Sequence, residues 1–272
     1  MNSEAVQLTT PEPGICLITL NRPQRRNAVD PQTAHKLYGA FLAFEANDDL
    51  KICVFHGSHD TFCAGADLHE VSKMTADSPT NIQSVAGRNI GPMGPSRLQV
   101  KKPVVAAVAG YAVAGGLELS LLADIRVVDE SAVFGVFCRR WGVPLIDGGT
   151  VRLQKVVGLG RAMDMILTGR PVNAQEALQM GLANRVVPKG KVLEEAMALA
   201  RSLLQFPQGC MRADRDSAYY AAYNARSFED AMQNEFTQGS KVLSVESFTG
   251  ASRFSAGEGR HGSFGPQGKS KL

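Results

Sequence analysis

The sequence lacks a surplus of charge of either sign. Lys and Arg number 29 against 26 Asp and Glu, a net +3. That balance excludes the strong basic excess of a dedicated nucleic-acid binder. Cysteine is sparse and odd in number, at Cys16, Cys53, Cys63, Cys138 and Cys210. The spacing forms no disulfide framework and points to a reducing compartment. No long apolar run is present. The longest, from Pro103 to Ala123, is broken by Gly110, Gly115, Gly116 and Glu118, so it reads as buried structure and no membrane association is expected. The opening MNSEAVQLTTPEPG has neither an apolar core nor an Arg-rich, acid-poor character, so no cleaved leader is expected. Aromatics are few, and the single tryptophan, Trp141, is expected in the core or a pocket wall. No fixed-period repeat stands out.

Two other patterns fall short of a site. His56, His59, Cys63 and His69 have the composition of a zinc cluster but not its paired short-gap spacing, and no metal is expected. Gly158-Leu159-Gly160 lacks the third glycine and preceding strand of a dinucleotide fingerprint and reads as a helix junction.

What is present is glycine, 27 residues or about a tenth of the chain against an average near 7%. Some of the backbone therefore needs unusual geometry. Hydrophobic residues at 44% supply a core for a chain of 272 residues. Ile15–Leu20, Ile52–Phe55, Pro103–Val108 and Ile125–Val128 read as buried strands. Asp30-Pro31 predicts a capped helix running to about Ala46. Gly115-Gly116 opens a short helix, Gly148–Val157 and Gly160–Leu167 read as two more, and the pattern is helical from Val192 almost to the end. Thr75–Pro95 and Gly257–Leu272 are expected to be mobile. Strands alternating with helices indicate an α/β fold.

Three segments carry possible chemistry. In Val108–Glu118 a strand gives way to small residues and a helix start at Gly115. The first amides of a helix lack internal partners and carry partial positive charge. Glu118 lies one turn further on. A carboxylate beside an oxyanion-binding amide suits proton transfer next to a carbonyl, whereas the bland alternative is tight packing with a solvated Glu. Asp60–Leu68 contains Ala64-Gly65-Ala66, small residues able to expose a second amide, or else forms a surface turn. Asp147 precedes Gly148-Gly149. It is either a helix cap or a catalytic carboxylate whose pKa is raised by apolar neighbours.

The segments LNRPQRRNAV, TFCAGADL and AVAGYAVAGGLELSLLADIRV resemble the crotonase, or enoyl-CoA hydratase/isomerase, superfamily over residues 12 to 256. The resemblance implies an α/β spiral of ββα turns followed by a helical trimerisation region. Its core and active site would span 1–200, its oligomerisation helices 201–256, and a basic tail 257–272. It places the thioester oxygen between the amides of Ala66 and Gly115. It assigns the first catalytic glutamate to Glu118 and drops the second onto Cys138, leaving Asp147 as the candidate for the missing carboxylate. Substrate-binding positions carried over are Arg25, Arg26 and Ala28 near the adenine and phosphates, Ala64, Asp67 and Leu68 around the thioester, and Phe254 as an aromatic closing the nucleotide site; Arg260 is a weaker match.

The implied reaction is addition of water to an α,β-unsaturated acyl-CoA. Alternatives are isomerisation, acyl-CoA hydrolysis, or acyl-CoA binding without catalysis. No cofactor is implied beyond the CoA of the substrate. The implied assembly is a homotrimer or a dimer of trimers. The terminal Ser270-Lys271-Leu272 matches an address read by a peroxisomal import receptor in a eukaryotic cell. A cytoplasmic location is expected otherwise.

Overall fold

Strand β1 (Val6–Glu12) turns through Gly14 into β2 (Ile15–Leu20), the first of the expected buried strands. Helix α1 (Pro31–Ala46) begins where the cap rule places it. Asp30 is extended, and its carboxylate accepts the Thr33 N–H at 2.7 Å. Then follow β3 (Ile52–Gly57), the short α2 (Leu68–Val71), a 3-10 turn (Pro95–Arg97), β4 (Val104–Val108) and β5 (Tyr111–Val113). The chain continues through α3 (Gly115–Ser120), β6 (Ile125–Asp129), β7 (Val133–Gly135) and a second 3-10 turn (Phe137–Trp141). It goes on through α4 (Gly149–Val157), α5 (Leu159–Thr168), β8 (Val172–Asn173), α6 (Ala174–Gln179), β9 (Arg185–Val187) and α7 (Val192–Leu204). This computed structural model describes residues 4–73 and 83–257. Much of the expected mobile segment at Thr75–Pro95, nearly all of the tail, Arg260 and the terminal tripeptide lie outside the described residues.

A six-stranded sheet has the order β1-β2-β3-β4-β6-β9. Only β1 and β2 are antiparallel; the remaining pairs are parallel. Parallel strands need crossovers that cover both faces, which accounts for the fully buried run Val104–Val108. A second sheet, β5-β7-β8, lies alongside in the chain order, so β4–β5–α3 and β6–β7 with its 3-10 turn are successive turns of a strand–strand–helix spiral. Phe55 makes edge contacts with Phe41 and Phe62 at 5.4 and 5.1 Å, anchoring α1 and the loop after β3 to the same core.

The chain divides into two compact units, Met1–Ala200 and Arg201–Leu272. Within the second, α8 (Gln208–Tyr223), α9 (Phe228–Val242), a π-helical turn (Leu243–Ser247) and α10 (Phe248–Ser255) follow one another. The Glu246 carboxylate accepts the Gly209 and Cys210 N–H groups at 2.9 and 2.7 Å, tying that turn to the start of α8. Among the described residues no helix is long and apolar enough to cross a membrane.

Three local expectations need correction. Trp141 is 70% exposed instead of packed in the core, because it ends a short 3-10 turn flanked by exposed Arg139, Arg140 and Gly142. The junction between α4 and α5 is the single residue Gly158, at φ +82°; Leu159 already starts α5. Strands β1, β5, β7, β8 and β9 were not expected. Four of these have only two or three residues, too few to show an alternating pattern.

Candidate active site

The loop after β3 is fastened to β5 by backbone hydrogen bonds. Cys63 N–H donates to Tyr111 O at 2.8 Å and Val113 N–H to Cys63 O at 3.1 Å. This pairing carries Ala64-Gly65-Ala66 onto the N-terminus of α3. Gly65 has φ +99°, and a Cβ there would lie 3.1 Å from Gly115 N. Gly115 is the first residue of its helix, so its N–H has no intrahelical acceptor. Among the described residues neither it nor the Ala66 N–H donates to any protein acceptor. A Cβ at Gly115 would meet Met93 Sδ at 2.6 Å, so any side chain there would have to displace the Met93 thioether. Gly116 serves packing, since its Cβ would collide with Cys63 O.

Glu118 is 2% exposed, which removes the solvated reading. Its Oε1 accepts the N–H groups of Asp147 and Gly149 at 2.9 and 2.8 Å. Burial, and then the charge of Asp147, push its pKa up to about 7. Asp147 is 4% exposed. It does not cap α4, whose N-cap is Gly148 with no side-chain bond. Its Oδ1 instead accepts the Met93 N–H at 2.9 Å and the Ser96 hydroxyl. Burial raises its pKa, opposed by those two donors and by the charges of Arg97 and Arg152. The two acidic residues, 29 apart in sequence, thus meet through the Asp147 N–H on the Glu118 carboxylate, and the Asp147 charge acts on Glu118.

Cys138 is buried on the second 3-10 turn. Burial, and then the Glu118 charge, raise its thiol pKa, so it remains a neutral thiol facing the site. It has neither the charge nor the paired oxygens of a carboxylate.

The remaining candidates separate by environment. Ala28 and Ala64 flank the loop, and Ala28 O accepts Arg22 Nη1. Arg25 and Arg26 are exposed, with the Arg26 guanidinium 5.9 Å from the Tyr111 ring centroid. Leu68 is exposed. Asp67 is buried and N-caps α2, accepting His69 N–H at 3.2 Å and pairing with Arg22 at 3.1 Å. Its carboxylate therefore holds the turn that presents Ala66. Phe254 is exposed on α10 in the second unit. His56 bonds Thr19 Oγ1 at 2.8 Å, and no group of three metal-ligating side chains occurs among the described residues.

Sequence reasoning missed four residues that shape the site. Arg22 joins Asp30 at 2.7 Å to Asp67, linking the caps of α1 and α2. Arg152 donates to Ser96 O at 2.7 Å and Leu98 O at 3.1 Å. Met93 and Ser96 grip Asp147. Arg22 stands inside a recognisable segment, but Met93 and Ser96 carry no local signal.

A family model described as Enoyl-CoA hydratase/isomerase matches residues 10–257. The probable enoyl-CoA hydratase echA8 of Mycobacterium bovis is 34% identical over 230 residues, covering 80% of this chain and 86% of that protein. The mevalonyl-coenzyme A hydratase sidH of Aspergillus fumigatus is 31% identical over 239 residues, covering 88% and 87%. The crystal structure of enoyl-CoA hydratase EchA1 from Mycobacterium marinum superposes with a TM-score of 0.83 at 27% identity, covering 93% of this chain and 96% of that one. Sequence, spiral architecture and the buried glutamate after the glycine pair converge: the chain belongs to the enoyl-CoA hydratase/isomerase family of the crotonase superfamily.

Proposed function

We propose that this protein hydrates an α,β-unsaturated acyl-CoA. The observation that carries the reading is the adjacency of Glu118 and Asp147, buried in one site with the unpartnered amides of Ala66 and Gly115. The thioester oxygen accepts from those two amides. As water attacks C3, the π electrons move toward that oxygen, and the amides stabilise the enolate. One carboxylate takes a proton from the water and the other delivers a proton to C2, so one molecule of water is added. No other cofactor enters the balance. With Cys138 a neutral thiol, Asp147 supplies the second acid–base group. Relatives named as hydratases and a carnitinyl-CoA dehydratase weigh against isomerisation and hydrolysis.

Arg25, Arg26 and Ala28 would line the adenine and phosphate end and Ala64 and Leu68 the thioester end, and Phe254, by the family match, would help close a nucleotide site. The exposed Phe228, Phe236 and Phe248 of the second unit support assembly into a trimer or a dimer of trimers. Sedimentation at three or six times the chain mass is the expected result. In a eukaryotic cell the Ser270-Lys271-Leu272 terminus would direct import into the peroxisome; in a bacterium, the kind of organism several relatives come from, the enzyme would remain cytoplasmic.

The test follows the enoyl-thioester absorbance with crotonyl-CoA. Wild type bleaches the band, while Glu118→Gln and Asp147→Asn lose roughly 10²- to 10⁴-fold in kcat and retain CoA binding. An Asp147→Asn variant as fast as wild type would remove the second carboxylate from the mechanism.

A further inference from the structure

Each of the two carboxylates has one anchored oxygen. Glu118 Oε1 accepts two backbone N–H groups. Asp147 Oδ1 accepts one N–H, from Met93, and one O–H, from Ser96. Among the described residues no protein donor reaches Glu118 Oε2 or Asp147 Oδ2. These second oxygens are the atoms left for proton transfer.

The surroundings of the pair differ. Ser96 is 1% exposed on the 3-10 turn at Pro95–Arg97, and its carbonyl is held by Arg152 of α4 at 2.7 Å. Its hydroxyl is therefore fixed in place, and a hydroxyl donor stabilises the ionised form of the carboxylate it serves. The charged groups acting on Asp147 are Arg97 of the same turn, Arg152 and the facing Glu118 whenever it is ionised. Glu118, on α3, faces Asp147 and the Cys138 thiol, with Arg152 acting less strongly than the two amides. The cations and the hydroxyl thus gather on the Asp147 side.

We infer that Ser96 is a positioning residue: with the Met93 N–H it holds Asp147 as the ionised member of the pair, so that Asp147 is the base and Glu118 the acid. This division rests on the hydration reading above. Asp147 Oδ2 takes a proton as the water oxygen bonds to C3. Glu118 Oε2 gives up its proton as the C2–H bond forms. Exchange with solvent then returns a proton from Asp147 to Glu118, which restores both groups and leaves a net gain of one water.

The experiment combines two readouts on the full chain. Carbon-13 NMR of protein labelled at the aspartate carboxyl, with Asp147→Asn to assign the signal, reports the Asp147 titration without turnover. The pH profile of kcat/KM for crotonyl-CoA reports the working base. Ser96→Ala is expected to raise the Asp147 midpoint by about one pH unit, the scale of one charge-assisted hydrogen bond. The acid limb of kcat/KM should move up by the same amount, with KM little changed. An unmoved midpoint with a uniform fall in rate at every pH would make Ser96 merely structural and overturn the inference. A moved midpoint with an unmoved acid limb would overturn the assignment of Asp147 as base. A wild type that turns over no enoyl-CoA, while the midpoint still moves in Ser96→Ala, would remove the hydration reading and the base assignment with it but leave the anchoring of Asp147 intact.

Discussion

At Cys138 a single substitution alters the site's chemistry without altering its frame. The thiol lies where the family resemblance places a carboxylate, and burial and Glu118 both disfavour the thiolate. Cys138 should therefore react more slowly with iodoacetamide at pH 7 than an unburied cysteine peptide, as mass spectrometry of the labelled digest would show. A fast reaction would mean that the thiol is ionised or exposed. Gly65 is the counterpart on the oxyanion side. Its φ of +99° strains any residue with a side chain, and a Cβ there would press on Ala114 Cβ, Gly115 N and Val113 O at 3.0 to 3.2 Å. Gly65→Ala should cost about 1–3 kcal/mol in denaturant unfolding and lower kcat through displacement of the Ala66 amide, with a larger effect on kcat than on KM.

Elements meet at this site through their ends. Helices α1 and α2 are both capped by aspartates that share Arg22. Asp30→Ala removes one cap bond and should destabilise by about 1 kcal/mol. Arg22→Met leaves two carboxylates without their cation and should be the more damaging of the two. Urea unfolding midpoints of both variants check the ranking, and the reverse order would show that the caps act independently of Arg22. Helix α3 works in the same way. Its N-terminal amide faces the turn carrying Gly65 while its first turn carries Glu118, so one short helix supplies both an electrostatic and a proton-transfer group.

For the whole molecule, burying Glu118 couples stability to pH. Its pKa rises from 4.5 to about 7 on folding, so folding favours the protonated form. That contribution is fully present below pH 4.5 and is lost as pH climbs through 7. The shift corresponds to about 3 kcal/mol between those limits. Relative to wild type, Glu118→Gln should therefore gain stability steadily from pH 5 to pH 8 in thermal unfolding. A gap independent of pH would show that Glu118 is not buried as a titrating group.

Much of this protein is written in short stretches of chain. The buried strands β2, β3, β4 and β6 show as apolar runs, α1 shows through Asp30-Pro31, and Glu118 follows a glycine pair within a recognisable segment. These signals are local because hydrophobic runs, caps and tight turns depend on neighbours in sequence. Three-residue strands leave no such trace, and they form only when a partner strand is already in place. The choice between cap and buried acid at Asp147 was likewise beyond local reading. It was made by Ser96, 51 residues away, and by the closure of the spiral that brings the two together in a site shielded from water.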